Sequence, residues 1–149
     1  MNEIRPWLYI GKYRDTLDKP YLDSESIKAM LQLADLVEQK GINSLFLPVE
    51  DMGPTSHVFI KQGVDFILGE KEKGSKVLVA CGSGINRSTV FCMAALKEVE
   101  GLNLLEAFKE IKKKHPESMP HEPVWESFCG YYNEPTPYLS ILRFSVQDL

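Results

Sequence analysis

Between Lys76 and Leu96 the chain runs from "KVLVAC" through "GSGIN" into "RSTVFCMAAL". A strand built from Val77, Leu78, Val79 and Ala80 is apolar at every position, which suits burial on both faces of a mostly parallel sheet. The glycines end it, and the apolar positions that resume after Arg87 predict a helix over 87–100, with Val90, Phe91, Ala94 and Leu96 among its inward residues. A strand that gives way to a helix across so short a loop points to the α/β class.

Other segments agree. "WLYIG" (Trp7–Gly11) reads as an opening strand, and "INSLFLPVED" (Ile42–Asp51) as a buried strand ending at Pro48, with Asp51 just beyond in a loop. Thr55 or Ser56 is expected to cap a helix that turns Phe59, Ile60, Val64, Ile67 and Leu68 inward and stops before Gly74. Two further helices follow, one from an N-cap near Asn103 to a stop before Pro116, the other with Pro123 in its first turn. The stretch Asp23–Gly41 stays open. Its charges and its Ala, Met and Leu content suit a helix, yet Ile27, Ala29, Leu31 and Leu33 alternate as in a strand.

The expected architecture is a central, mostly parallel (mixed) sheet of four to five strands, flanked by helices on both faces and forming one domain over residues 1–134. The remainder, 135–149, contains "TPYLSILRFSVQDL", which is too apolar for a free tail. It is expected to dock on its own domain or on a neighbouring chain, and a homo-oligomer through this tail is one outcome.

The formal net charge of −4 argues against a nucleic-acid partner, which would favour a basic excess. The one basic run, "KEIKKKH" (Lys109–His115), falls at the end of a helix, where the macrodipole favours cations, and reads as a solvated terminus. No apolar run approaches the roughly 18 residues of a membrane span. Three cysteines at irregular spacing make no disulfide framework and suit a reducing compartment. With no apolar leader in "MNEIRPWLYIGK", a cytoplasmic location is expected. His57, His115 and His121 lack metal-ligand spacing, and neither a metal nor another cofactor is expected. Cys92 and Trp125 read as core, while Cys129 stays open between core and a redox role.

The loop itself carries chemistry. Where a strand curls through glycines into a helix N-terminus, backbone N–H groups converge and the helix dipole adds positive potential, which makes an anion site. Gly82 and Gly84 permit the curl. Arg87 in the first helical turn offers a fork that matches two oxygens of a phosphate. Cys81 ends the strand, and the same field favours its thiolate. A dianion cradle with a nucleophile at its base is suited to phosphoryl transfer to sulfur. A bare C-x5-R match is weak; the strand before it, the glycine at its fourth place, the Ser after the Arg and the apolar helix make it specific.

"CGSGINRS" (81–88) resembles the signature loop of the cysteine-dependent protein tyrosine phosphatases, in particular their small dual-specificity branch. The resemblance covers most of residues 5–134: "WLYIG" is similar to that branch's opening strand, "LPVEDMGP" to its general-acid loop, and "HPESMPHEPVWESF" to the segment after its penultimate helix. It implies that Ile27–Leu33 is a strand preceded by a short helix around Pro20–Ser26. It further implies Cys81 as nucleophile, Arg87 as phosphate clamp, Asp51 as general acid and base, and Ser88 as the hydroxyl that supports the sulfur as it leaves. The N–H groups of Gly82, Ser83, Gly84, Ile85, Asn86 and Arg87 would line the cradle. Glu50 is a second candidate acid, but neighbouring extended residues point opposite ways, so only one of the pair should face the site. One position departs from the family: Ala80 stands where His usually precedes the nucleophile and helps to order the loop. A phosphorylated protein is the expected substrate, because "GSGIN" carries no Lys or Arg to attract a polyanion. The alternatives are a phosphate-binding module with little turnover and a phosphatase for sugar phosphates or RNA ends.

Overall fold

The computed structural model describes residues 1–147, with side chains described as far as Phe144. Its sheet contains β1 (Asn2–Arg5), β2 (Leu8–Lys12), β3 (Ile27–Gln32), β4 (Asn43–Phe46) and β5 (Lys76–Cys81). The spatial order is β1-β2-β5-β3-β4. The central strand β5 runs parallel to β2 and β3, and β3 runs parallel to β4, while β1 pairs antiparallel with β2. The helices are α1 (Tyr13–Thr16), α2 (Lys19–Ser24), α3 (His57–Glu72), α4 (Arg87–Glu100), α5 (Leu104–Lys114), α6 (Glu122–Tyr131) and α7 (Tyr138–Gln147). This is the mixed sheet, helix-flanked on both faces, that the sequence implies.

Alternation divides the strands between two cores. Leu8, Ile10, Ala29, Leu31, Val77, Val79 and Cys81 face the larger one, shared with residues of α3 to α7. Tyr9, Met30, Leu78 and Ala80 face the smaller one, closed by Leu22 of α2. Ile27 joins the smaller core although it lies two residues before Ala29, because the register of β3 on β5 shifts between them. Helix α3 crosses α4 closely at Gly63, where an added Cβ would collide with the buried Phe91 ring. The starts of these helices are set locally. The Ser56 hydroxyl accepts from the Phe59 N–H at 3.1 Å, and Asn103 with Glu106 forms a capping box before α5.

Three expectations are amended, and the open stretch is decided as the resemblance implies. "WLYIG" supplies the second strand, since "NEIR" pairs with it as an edge strand. The strand expected over Ile42–Asp51 is only the four residues of β4, half-buried at the sheet edge. It has one neighbour, and past Phe46 the chain peels away, with the Leu47 N–H donating to the Gln32 carbonyl at 2.9 Å. In Asp23–Gly41 the period-two pattern prevails over helix propensity, because this segment fills the slot between β5 and β4, where main-chain pairing decides the conformation. The basic run after Lys109 is not simply solvated. Lys112 is buried, and its ammonium donates to the carbonyls of Pro116 (2.7 Å) and Ser118 (2.9 Å).

Helix α7 buries Ile141, sets the Phe144 ring edge-on to Phe108 at 5.9 Å between centroids, and follows the Tyr138 hydroxyl, which donates to the Pro120 carbonyl at 2.6 Å. Among the described residues no helix is long and apolar enough to cross a membrane.

Candidate active site

The parallel strands β2, β3, β4 and β5 all present their carboxyl ends at one edge of the sheet, the usual place for a ligand crevice in such sheets. The loop from Gly82 to Asn86 emerges there from β5 and leads into α4. Several of its carbonyls bond to neighbouring segments. Gly82 O accepts from the Tyr13 N–H at 3.3 Å. Gly84 O accepts from His115 Nε2 at 2.7 Å. Ile85 O accepts from the Met119 N–H at 2.9 Å and from the Thr89 hydroxyl at 2.7 Å. Three of the five loop carbonyls are thus engaged by neighbouring segments, and α4, fourteen residues long, directs the positive end of its dipole at the loop. Gly84 is needed twice over: its φ of +74° is left-handed, and an added Cβ would lie 2.9 Å from Gly11 O.

Cys81 is at the floor, only 1% exposed. Its Sγ is 3.2 Å from the Ser88 hydroxyl and accepts from the Ser88 N–H at 3.5 Å. Arg87 reaches back over the loop. Its Nη1 donates to Leu33 O and Val49 O, both at 3.0 Å, so the turns after β3 and β4 hold one arm of the fork. The other arm lies beside Gly82, with Nη2 3.3 Å from where a Cβ would stand. Nε is buried without a hydrogen-bond partner and faces the Asp51 carboxylate at 3.4 Å. A fork fixed through Nη1 leaves Nη2 beside the loop at Gly82 and Nε beside Asp51, and a guanidinium so placed can offer two donors to an oxyanion.

Asp51 follows the residues after β4 on a loop, half-exposed. Its Oδ1 accepts from Asn86 Nδ2 at 2.9 Å, and its main-chain carbonyl accepts from the same amide. Asn86 Oδ1 in turn accepts from the His121 N–H at 2.7 Å, and His121 Nδ1 lies 3.0 Å from Asp51 O. The neighbouring Glu50 turns elsewhere, its carboxylate over Gly53. Cys81, Arg87, Asp51 and Ser88 therefore come together in one place. The sequence reading overlooked three residues here: the Asn86 side chain, His115 and His121. Two of them stand beside prolines in the segment after α5, and only their packing against residues 31 to 35 positions away reveals their roles.

The other thiols stay apart from this chemistry. Burial pushes the Cys92 thiol well above its ordinary value, with the Cys81 sulfur adding to the shift. Burial also raises Cys129. All three cysteines are free. Trp125 is fully buried in the core, donating from Nε1 to Thr136 O at 2.8 Å.

Comparison with known proteins places this arrangement. Residues 8–134 match the family model described as "Dual specificity phosphatase, catalytic domain". The chain belongs to the dual specificity phosphatase family. Human dual specificity protein phosphatase 5 is 33% identical over 141 residues, a match covering 91% of this chain and 36% of that protein. The Xenopus laevis dual specificity protein phosphatase 1-A is 30% identical over 116 residues, covering 75% of this chain and 31% of its own. The chain thus spans about a third of the length of these curated relatives. Among solved structures, human DUSP28 superposes with a TM-score of 0.83 at 21% identity, covering 89% of this chain and 96% of that one. At such identity the likeness speaks for the fold.

Within a dual specificity phosphatase framework, Ala80 takes on meaning. It packs into the smaller core with Tyr9, Leu22 and Leu78. The ring that orders the loop comes from elsewhere in the chain. His115, 4% exposed at the end of α5, donates from Nε2 to Gly84 O and accepts on Nδ1 from Asn2 Nδ2 at 2.7 Å.

Proposed function

We propose that the chain hydrolyses phosphomonoesters through a cysteinyl-phosphate, with Cys81 as nucleophile, Arg87 as phosphate clamp and Asp51 as general acid and then base. The Cys81 sulfur attacks phosphorus in line and the ester P–O bond breaks. The amides of Gly82 to Arg87 and the Arg87 fork hold the equatorial oxygens as charge redistributes. Asp51 gives its proton to the departing oxygen, so the alcohol or phenol leaves neutral. Asp51, now a carboxylate, takes a proton from a water that attacks phosphorus. The P–S bond breaks, and Ser88 donates a hydrogen bond to the sulfur that departs.

The observation that carries this reading is the Arg87 fork, held by Leu33 O and Val49 O above a loop with three of its carbonyls engaged by neighbouring segments. Arg87 Nε is buried without a hydrogen-bond partner and has only the Asp51 carboxylate beside it, at 3.4 Å. The pairing of Asp51 with Arg87 adds a useful coupling. An arriving phosphate competes with Asp51 for the guanidinium.

Phosphotyrosine and phosphoserine or phosphothreonine in proteins are the proposed substrates. The cradle interior carries neither Lys nor Arg for a second phosphate, which disfavours polyanionic lipids. The buried free thiols suit a reducing, cytoplasmic setting. The division into a catalytic unit over 1–134 and a docked extension over 135–149 belongs to the same reading, and Leu139 and Leu142, exposed on α7, are where a second copy would contact it. Ala80 favours one rival, a phosphate-binding module with little turnover. Assaying p-nitrophenyl phosphate with the native chain and Cys81→Ser separates them. Turnover by the native chain that disappears in Cys81→Ser, with phosphate binding retained, is expected; equal turnover by both would overturn the mechanism, and none by either would favour the binding module.

A further inference from the structure

Asn86 sits at the N-cap of α4, a place where Asn normally turns its side-chain oxygen onto the N–H groups of the first helical turn. It makes no such bond. The side chain is 1% exposed and is committed to other partners. Both amide protons go to Asp51, one to its main-chain carbonyl and one to Oδ1, and the amide oxygen accepts from the His121 N–H. His121 Nδ1 lies 3.0 Å from the Asp51 carbonyl and 3.2 Å from Asn86 Nδ2. Two consequences follow. The first turn of α4 is left without a side-chain cap, and the Ser88 N–H turns instead to the Cys81 sulfur. The loop bearing Asp51 is docked on the phosphate cradle.

We propose that Asn86 and His121 form a latch that positions the Asp51 carboxyl over the cradle for proton donation. Both are positioning residues, since neither touches the reacting atoms, and the proposal rests on the reading of Asp51 as general acid. The acid loop has other holds: the Thr55 N–H donates to the Ser127 hydroxyl at the far end (2.9 Å), and the Arg87 side chain donates to Val49 O and faces the Asp51 carboxylate. Asn86 alone among these grips both the main chain and the carboxylate of Asp51.

Because the latch acts through the acid, its loss should appear where proton donation limits the rate. Turnover by Asn86→Ala should fall about 10- to 100-fold on phenyl phosphate, whose leaving group needs a proton. It should fall less than about threefold on 2,4-dinitrophenyl phosphate, whose leaving group does not. Inhibition by inorganic phosphate should be unchanged within about twofold, because the cradle amides and Arg87 stay in place. His121→Ala should show the same selectivity at smaller amplitude, and His121→Asn, whose amide can reach the Asp51 carbonyl, should restore most of the rate. In an Asp51→Asn background, Asn86→Ala should add no further selectivity. Equal losses on both esters, or weakened phosphate inhibition, would make Asn86 a scaffold of the cradle and overturn the latch. Should Asp51→Asn itself fail to discriminate between the esters, the reading of Asp51 fails and the latch falls with it. Selectivity in Asp51→Asn but in neither latch variant would leave the acid standing and remove the latch alone.

Discussion

The phosphate cradle and the acid loop lie on the same edge of the sheet, but they are held in opposite ways. From Gly82 to Ile85 the cradle is tied to α1, to His115 at the end of α5, and to the segment before α6, by bonds spread around its circumference. The stretch from Glu50 to Gly53 has regular structure on neither side, exposes Met52 to 68%, and meets the cradle through Asp51. The difference matches two chemical duties. Oxyanion stabilisation gains most when dipoles are already aimed and need no rearrangement. A proton donor must also admit a substrate, release a product and return as a base, so it gains from attachment at one point.

The largest effect should come from breaking the cradle itself. In Gly84→Ala the new Cβ meets Gly11 O, and the residue must hold a left-handed φ. Such strain costs about 1–3 kcal/mol for a non-glycine residue. Relief requires moving the loop away from β2, so kcat/KM for p-nitrophenyl phosphate should fall more than about 100-fold. Thermal unfolding and vanadate binding on the same sample check this. Normal vanadate affinity would show that the cradle is less rigid than its bonds suggest.

His115 gives a graded version. Removing it leaves Gly84 O and Asn2 unsatisfied in a buried setting, at a cost of about 1–3 kcal/mol. His115→Ala should therefore lose about 5- to 100-fold in kcat/KM, with phosphate inhibition weakened in parallel, because the loop and not the acid is disturbed. His115→Gln, which keeps a donor of comparable reach, should recover most of both. This pattern is the inverse of the one expected for Asn86, where phosphate inhibition holds and leaving-group dependence changes. Finding the same pattern in both would erase the distinction between the two loops.

How far the sequence reveals all this depends on whether a signal is local. The apolar run of β5, its glycines and the start of α4 are contiguous, so the central strand and the helix it feeds are legible by inspection. Ser56 and Asn103 are legible as caps because capping is completed within three residues. β1 is hidden because an edge strand buries one side chain, Ile4, between charged neighbours that leave no run of apolar residues. Lys112 and His115 are misread as solvated because nothing nearby shows that the chain turns back over them at Pro116 and Ser118. Asn86 could be placed in the cradle from its position, but what its side chain does depends on Asp51 and His121, each 35 residues away. Contacts at that separation are set by topology, which local pattern constrains only loosely.

The smallest predicted effect tests the acid loop's loose attachment. Glu50 and Met52 flank Asp51, and both are exposed; the Glu50 carboxylate turns over Gly53, and the Met52 side chain is mostly in solvent. Neither contributes to the bonds that hold Asp51 to Asn86 and Arg87. Glu50→Gln and Met52→Ala should each leave kcat on small aryl phosphates within about twofold and unfolding within about 0.5 kcal/mol, as for exposed positions without a partner. A full loss of leaving-group assistance in Glu50→Gln would mean that Glu50 swings in as the donor during turnover, since neither its present orientation nor its surroundings offer another route to that result. If instead Met52→Ala alters turnover of a phosphopeptide while sparing phenyl phosphate, the exposed methionine contacts the peptide around the phosphorylated residue. The acid loop would then read the substrate's flank while the cradle reads only its phosphate.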